Sequence, residues 1–152
     1  MTLDGKASLI NKIRHVLPKA VLVDVDGTLA NMQGIRKPFE WDKVFNDKPY
    51  QDIIDLVNDL YENYRIIIMT GRDGVCEGAT RKWLSKYGVC YHDLHIRKAG
   101  DFRKDDIIKS EIYMDKIRGN FDVKYVIDDR NQVVDMWRSI GLRCLQVQPG
   151  DF

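Results

Sequence analysis

The sequence has no long apolar run, few cysteines and almost no net charge, and each of these shortages disfavours a class of protein. No stretch approaches the roughly 20 apolar residues that a membrane-spanning helix needs, so we expect no membrane partner. The three cysteines form no Cys-x-x-Cys pair, which favours buried thiols in a reducing compartment such as the cytoplasm over a disulfide framework. A formal net charge of +1 gives no sign of a nucleic-acid partner through bulk charge.

Short β-branched runs alternate with amphipathic helical patterns along the chain. The runs are continuous rather than alternating, which is typical of parallel strands covered on both faces. Their order predicts an α/β fold: a doubly wound, mainly parallel five-stranded sheet. We expect an N-terminal extension, residues 1–17, and one domain, residues 18–152. The predicted strands are residues 21–24, 65–69, 94–96, 124–127 and 142–147, and the predicted helices are residues 47–64, 79–88, 105–120 and 131–141.

Acidic, hydroxyl and basic residues follow four of the predicted strands. In an open α/β sheet the working site lies beyond the carboxyl ends of the strands, so these residues are the candidates for a functional site. They are Asp24, Asp26, Gly27 and Thr28 after the first strand, Thr70, Gly71 and Arg72 after the second, Arg97, Arg103 and Lys104 after the third, and Asp128, Asp129 and Arg130 after the fourth.

Asp24 and Asp26 form a pair of carboxylates suited to phosphoryl chemistry. On extended backbone they lean to the same side, roughly 7 Å apart at their Cα atoms. One carboxylate can attack phosphorus, and the other can protonate the leaving oxygen and then activate a water. Asp128 and Asp129 add negative charge that would repel a phosphate unless a cation lies among them. Oxygen ligands of this kind favour Mg²⁺.

Small, polar and basic residues at the strand ends also suit phosphoryl chemistry. Gly27 permits a sharp turn whose backbone amides can approach phosphate oxygens. The charge of Lys104 can hold the nucleophile and the phosphate. Thr70 and the amide of Gly71 can bond a phosphate oxygen and stabilise the charge that develops in the transition state.

These motifs resemble those of the haloacid-dehalogenase (HAD) phosphohydrolase superfamily. The segment "DVDGT" matches its first motif, Thr70 its second, Lys104 its third and "IDD" its fourth, in the family's order. The resemblance implies a HAD-like Rossmannoid fold with a short flap, or minimal cap, after the first strand.

A closer resemblance links residues 18–152 to the 3′-phosphatase domain of phage bifunctional polynucleotide kinase–phosphatases. It rests on "VDVDGTLA", "TRKWL", "GDFRKDDIIKSEIY", "FDVKYVIDDRNQVVDMWRSIG" and "QVQPGDF". Those enzymes remove 3′-phosphates from RNA and DNA ends, and they can act on 2′,3′-cyclic phosphates. They also carry a P-loop kinase domain. This sequence has no G-x-x-x-x-G-K-[ST] motif, so we predict no kinase activity.

The resemblance also implies a role for each matching residue. Asp24 would be the nucleophile that becomes an aspartyl-phosphate, and Asp26 would be the general acid and base. Mg²⁺ would contact the carboxylates of Asp24 and Asp128 and the main-chain carbonyl of Asp26, and Asp129 would orient a metal-bound water. The residues expected to bind phosphate or the substrate strand are Gly27, Thr28, Thr70, Gly71, Lys104, Arg72, Arg97, Arg103 and Arg130.

The segment after the first strand, residues 31–48, is short where many HAD proteins insert a cap domain. A short flap would leave the cleft open to a chain end. Arg36, Lys37, Phe39 and Trp41 could contact backbone phosphates or stack on a base. An equally good interpretation packs Phe39 and Trp41 on the core and leaves the cations exposed.

We therefore expect a Mg²⁺-dependent polynucleotide 3′-phosphatase that acts on nucleic-acid 3′ ends, beside a separate kinase or ligase. The first alternative is a phosphatase of free nucleotides that resembles the 5′(3′)-deoxyribonucleotidases. A second is a signalling receiver domain that is phosphorylated on aspartate. A third is a catalytically inactive module that binds nucleic-acid ends.

Overall fold

The computed structural model describes residues 3–152, and five parallel strands form the sheet at its centre. The strands are β1 Lys19–Val23, β2 Ala30–Asn31, β3 Lys48–Pro49, β4 Arg65–Asp73, β5 Asp93–Arg97, β6 Asp122–Asp128 and β7 Cys144–Gln146. The order across the main sheet is β5-β4-β1-β6-β7. This arrangement confirms the predicted α/β class and the five-stranded parallel sheet.

The central strand β1 is buried on both faces, as its continuous apolar run predicts. Val21 and Val23 belong to the core on one face of the sheet, and Ala20 and Leu22 belong to the core on the other face. All four side chains are fully buried. Complete burial of a Val or Leu side chain contributes about 1.5–3 kcal/mol, so the two cores hold β1 in the middle of the fold.

Helices cover both faces of the sheet, which makes the fold doubly wound. Residues of the helices Gln51–Tyr61 and Glu77–Lys86 pack in the first core, and residues of the helix Asn131–Ser139 pack in the second. The helices are α1 Leu3–Val16, α2 Gln51–Tyr61, α3 Glu77–Lys86, α4 Asp105–Ile112 and α5 Asn131–Ser139, with 3₁₀ turns at Trp41–Asn46 and Gly74–Cys76 and a π turn at Tyr113–Ile117.

The predicted helix over residues 47–64 begins at Gln51 instead. Lys48–Pro49 pairs with Ala30–Asn31 as a small antiparallel ribbon, which forms the base of the flap. Asp47, the first residue of the predicted helix, instead accepts hydrogen bonds from two arginine side chains. A buried carboxylate between guanidinium groups is better satisfied there than at a helix end.

The N-terminal extension contains α1, which covers Leu3–Val16. Met1 and Thr2 belong to the predicted extension but lie outside the described residues. Of the helices within residues 3–152, none has both the length and the apolar character needed to cross a membrane.

Candidate active site

Asp24, Asp128 and Asp129 come together at the carboxyl ends of β1 and β6. These two strands are neighbours in the sheet, so their ends lie side by side. Carboxylate oxygens of the three residues lie within 4.8 Å of one another, and all three residues are buried. The tertiary structure therefore joins the first and fourth predicted strand ends into one acidic cluster.

A lysine from α4 lies inside this cluster. The ammonium group of Lys109 donates to Oδ1 of Asp24 at 2.8 Å and to Oδ2 of Asp128 at 2.9 Å. Trp137 also donates from Nε1 to Oδ2 of Asp128 at 3.3 Å. These contacts fix the two carboxylates in one orientation, because the side chains that hold them are themselves buried.

The acid cluster carries more negative charge than Lys109 can neutralise. Burial raises the pKa of Asp24 well above its ordinary value, and Asp128 raises it further. Burial, followed by the charge of Asp128, raises the pKa of Asp129 to about 6. Burial alone would lower the pKa of Lys109, but Asp128 and Asp24 raise it above its ordinary value. A hard divalent cation would relieve this repulsion, so the oxygen-only donor set fits Mg²⁺.

The turn after β1 shapes the other side of Asp24. Oγ1 of Thr28 donates to Oδ2 of Asp24 at 3.1 Å, so both oxygens of this carboxylate accept a hydrogen bond. Gly27 has a φ of +81°, and a Cβ there would lie 1.9 Å from Oδ2 of Asp129. Only glycine allows this close approach, which agrees with the sharp turn expected from the sequence.

Asp26 is held by two buried arginines. Arg72 Nη2 lies 2.7 Å and Arg36 Nη2 lies 3.0 Å from Oδ1 of Asp26. Both arginines also bind the buried carboxylate of Asp47. The Asp26 side chain keeps 23% of its surface exposed and lines the cleft, so it remains accessible to a substrate.

Arg36 is therefore not the exposed cation that the flap sequence suggested. Its side chain is buried by the ion pair with Asp47, because that pair satisfies the guanidinium inside the fold. Phe39 does not pack on the core, since 82% of its surface is exposed. Trp41 is half-buried and meets the edge of Phe39 at a centroid distance of 5.9 Å.

The lysine next to the nucleophile candidate is Lys109, whereas the sequence pointed to Lys104. Lys104 is exposed and is the N-cap residue of α4. It therefore comes before the first turn of the helix and is not on the buried helix face that carries Lys109. Lys109 lies three residues before Ile112, which packs against the second core. The signal in the sequence that identifies Lys109 is its position on the same helical face as apolar residues.

Thr70 and Gly71 lie in β4, close to its carboxyl end. Oγ1 of Thr70 accepts a hydrogen bond from the backbone amide of Arg72 at 3.1 Å. A Cβ on Gly71 would lie 2.5 Å from Oδ1 of Asp105, a residue that the sequence did not single out. Asp105 occupies this space because the glycine leaves it open.

The other predicted substrate arginines are all paired within the protein. Arg97 donates to the carbonyl oxygen of Gly71 at 2.7 Å and also contacts Asp105. Arg130 donates to Oδ2 of Asp105 at 3.0 Å. Arg103 is exposed and pairs with Asp101, at 2.9 Å, and with Glu111, at 2.6 Å. Arg97 and Arg130 thus hold Asp105 and the loops around the site.

A cleft of about 1080 Å³ opens above the acid cluster. Its walls combine Asp24, Asp26, Asp128 and Asp129 with the aromatic rings of Phe39, Trp41, Phe102 and Phe152. The flap that borders the cleft is small, since it consists of a two-stranded ribbon and one 3₁₀ turn. The site can therefore receive a phosphate that is attached to a larger molecule.

Comparison with known proteins identifies relatives over most of the chain. The family model described as the polynucleotide kinase PNKP phosphatase domain matches residues 18–152. A stretch of 127 residues is 37% identical to a protein of Autographa californica nuclear polyhedrosis virus, whose name describes a bifunctional polynucleotide kinase/RNA ligase. The match covers 81% of this chain and 18% of the viral protein.

Solved structures with the same fold fall into two groups. One chain from a Pnkp1/Rnl/Hen1 complex and one from a Pnkp1/Rnl/Hen1 RNA repair complex are each 39% identical to this chain, cover 90% of it and have TM-scores of 0.87 and 0.86. This chain spans 48% and 44% of their lengths. A haloacid dehalogenase-like hydrolase from Streptococcus pneumoniae is 14% identical to this chain and has a TM-score of 0.57. The match covers 86% of this chain and 84% of the hydrolase, and it shows a shared fold alone.

Proposed function

Because the chain belongs to the family of polynucleotide kinase PNKP phosphatase domains, a branch of the HAD phosphatases, we propose that it hydrolyses 3′-phosphates at RNA or DNA ends with Mg²⁺. The observation that carries the proposal is the position of Asp24. It lies at the end of the central strand, with Lys109 on one oxygen and Thr28 on the other. A carboxylate fixed in this way is oriented to attack a phosphorus atom in the cleft.

In the first step, an oxygen of Asp24 attacks phosphorus and the bond from phosphorus to the sugar oxygen breaks. Asp26 gives a proton to that sugar oxygen, which leaves as the 3′-hydroxyl of the nucleic acid. Thr70, the amide of Gly71 and the ammonium of Lys109 bind the phosphoryl oxygens, where charge develops in the transition state. The product of this step is an aspartyl-phosphate on Asp24.

In the second step, a water attacks the phosphorus of the aspartyl-phosphate. Asp26, now deprotonated, accepts a proton from this water, and the bond between phosphorus and the Asp24 oxygen breaks. Inorganic phosphate leaves and the Asp24 carboxylate is restored. Arg36 and Arg72 keep Asp26 at the same place in both steps, because both guanidinium groups are anchored on Asp47.

The cluster of Asp24, Asp128 and Asp129 would hold the Mg²⁺ ion. When bound, the ion supplies positive charge that lets a phosphate enter a site built from carboxylates. The raised pKa values of Asp24 and Asp129 support this assignment, because burial and then the charge of Asp128 raise them, and a bound cation would offset both. Asp129 also lies against Gly27. The turn that presents Asp24 therefore also determines where the carboxylate of Asp129 can lie.

A polymer end is favoured over a free nucleotide by the flap, which leaves the cleft open. The relatives support the same substrate class. The names of the viral protein and of the solved complexes refer to polynucleotide kinase, RNA ligase and RNA repair. We propose that this domain prepares nucleic-acid ends and that a kinase or ligase works beside it.

The test compares phosphate release from 3′-phosphorylated RNA, 3′-phosphorylated DNA and a 3′-mononucleotide, each with Mg²⁺ and with EDTA. We expect Mg²⁺-dependent release from at least one oligonucleotide and a lower kcat/KM for the mononucleotide. Equal or faster cleavage of the mononucleotide would instead identify a nucleotidase. Stable phosphorylation of the protein by acetyl phosphate, without hydrolysis of any ester, would identify a receiver domain.

A further inference from the structure

Three phenylalanine rings at the mouth of the cleft are exposed to solvent. The exposed fractions are 90% for Phe102, 82% for Phe39 and 70% for Phe152, and all three residues line the cleft. Phenylalanine is among the residue types that folded proteins bury most often. Exposed apolar side chains grouped around a single cleft therefore mark a binding surface.

The three rings reach the cleft from different parts of the sheet. Phe39 lies in the flap that follows the central strand β1, Phe102 follows β5 and Phe152 follows β7. Strands β5 and β7 are the two outer strands of the main sheet. The rings thus line the same cleft as Asp24, and two of them follow strands on opposite sides of the central strand.

A cation lies close to each phenylalanine, in the sequence for Phe39 and Phe102 and in space for Phe152. Lys37 lies two residues before Phe39, Lys104 lies two residues after Phe102, and both lysines are exposed. The guanidinium carbon of Arg130 lies 5.3 Å from the centre of the Phe152 ring. Aromatic faces paired with positive charges are the arrangement by which proteins hold single-stranded nucleic acid, because the rings stack on bases and the cations follow the backbone.

We propose that Phe102 and Phe39 stack on the bases next to the 3′ end, so that the domain selects single-stranded polynucleotide ends. This inference rests on the proposed function and names the group that the site recognises beyond the phosphate. Stacking on a ring tolerates every base, since each base presents a π face. The domain should accordingly show little preference for the base at the 3′ end.

The experiment measures kcat/KM for a single-stranded 3′-phosphorylated oligonucleotide and for p-nitrophenyl phosphate, a substrate without bases. We expect the ratio of the two values to fall about tenfold in Phe102→Ala and in Phe39→Ala, as loss of one stacked base predicts. Phe45→Ala is the matched control. Phe45 is also exposed, at 39%, and has the Lys86 ammonium 4.8 Å from its ring, but it does not line the cleft.

A second substrate isolates the stacking contact from other effects of the substitutions. It is the same oligonucleotide with abasic sugars at its last two positions, which removes the bases and keeps every phosphate. On this substrate the wild type should lose its preference for the oligonucleotide over p-nitrophenyl phosphate. The kcat/KM values of Phe102→Ala and Phe39→Ala should then match that of the wild type.

The outcomes separate this inference from the proposed function. If the wild type prefers the oligonucleotide and both alanine variants keep that preference, the stacking inference is wrong and the proposed function stands. If the wild type cleaves p-nitrophenyl phosphate but not the oligonucleotide, both are wrong. A fall in the ratio for Phe45→Ala as large as that for Phe102→Ala would also overturn the inference.

Discussion

The ammonium group of Lys109 lies 2.8 Å from Oδ1 of Asp24, although 85 positions separate the two residues in the chain. We expect Lys109→Met to lower kcat for phosphate release by about 100-fold or more, because the transition state loses a buried charge and Asp24 loses its anchor. Steady-state phosphate release measures the loss of kcat. Urea unfolding of the same sample measures the effect of the lost Asp24 anchor on stability.

Lys104→Met is the matched comparison for that variant. Lys104 is exposed at the start of α4, so its loss should weaken substrate binding more than it lowers kcat. A larger loss of kcat in Lys104→Met than in Lys109→Met would return the catalytic role to Lys104, where the sequence motif placed it.

Asp24→Asn should abolish turnover while the fold survives. An amide of the same shape cannot attack phosphorus, so we expect at least about a 1,000-fold loss of activity. Rapid acid quenching with a substrate labelled at the 3′-phosphate should trap labelled wild-type protein and no labelled variant. Asp135→Asn, on the exposed side of α5, serves as the surface control. A variant of Asp24 with normal turnover would remove it as the nucleophile.

Gly27→Ala should disable the site for a steric reason that Gly34→Ala does not share. Both glycines have positive φ, +81° and +72°, so either substitution should cost about 1–2 kcal/mol in backbone strain. A Cβ on Gly27 would in addition lie 1.9 Å from Oδ2 of Asp129, whereas Gly34 faces open space. We expect loss of Mg²⁺-dependent activity in Gly27→Ala alone, measured at a temperature where both variants are folded.

Mg²⁺ should stabilise the folded protein. An ion that binds the native acid cluster and not the unfolded chain raises the free energy of unfolding with concentration, by about 2.7 kcal/mol at 100 times its dissociation constant. Thermal unfolding midpoints should therefore rise with MgCl₂ and return to the starting value with EDTA. Asp128→Asn should abolish the rise. A similar rise with NaCl at equal ionic strength would show that screening, and not binding, is responsible.

The pair of Asp101 and Arg103 predicts a pH-dependent contribution to stability. Hydrogen bonds from the Arg103 side chain lower the pKa of Asp101 from 3.8 to about 2. Because the folded pKa lies below the unfolded one, the contribution is present above about pH 4 and is lost as the pH falls towards 2. Carbon-13 NMR of the carboxyl group measures the pKa directly. Asp101→Asn should lower the urea midpoint at pH 6 and do so much less at pH 2.5, where most of the contribution is already lost, whereas Asp115→Asn should change the midpoint at neither pH.

The class of fold could be predicted from the sequence because burial on both faces leaves a local trace. Continuous apolar runs such as residues 66–69 cannot form a half-exposed strand, and β4 indeed contains them. The first residue of a helix could not be predicted where a nearby side chain binds a distant partner. Asp47 fits the pattern of an N-cap, but its carboxylate binds Arg36 and Arg72, which no local pattern could reveal.

By itself, the sequence determined the order of the five strands of the main sheet and of the four helices between them, and the presence of chemical groups at the strand ends, since both depend on residues that are neighbours in the chain. Only the tertiary structure decided which of those groups meet. It placed Lys109, rather than Lys104, between Asp24 and Asp128. It paired Arg97 and Arg130 with Asp105, and left Phe102 exposed. These outcomes depend on which helix face packs on the sheet and on which charges find partners inside the fold, and both are settled by contacts between distant parts of the chain.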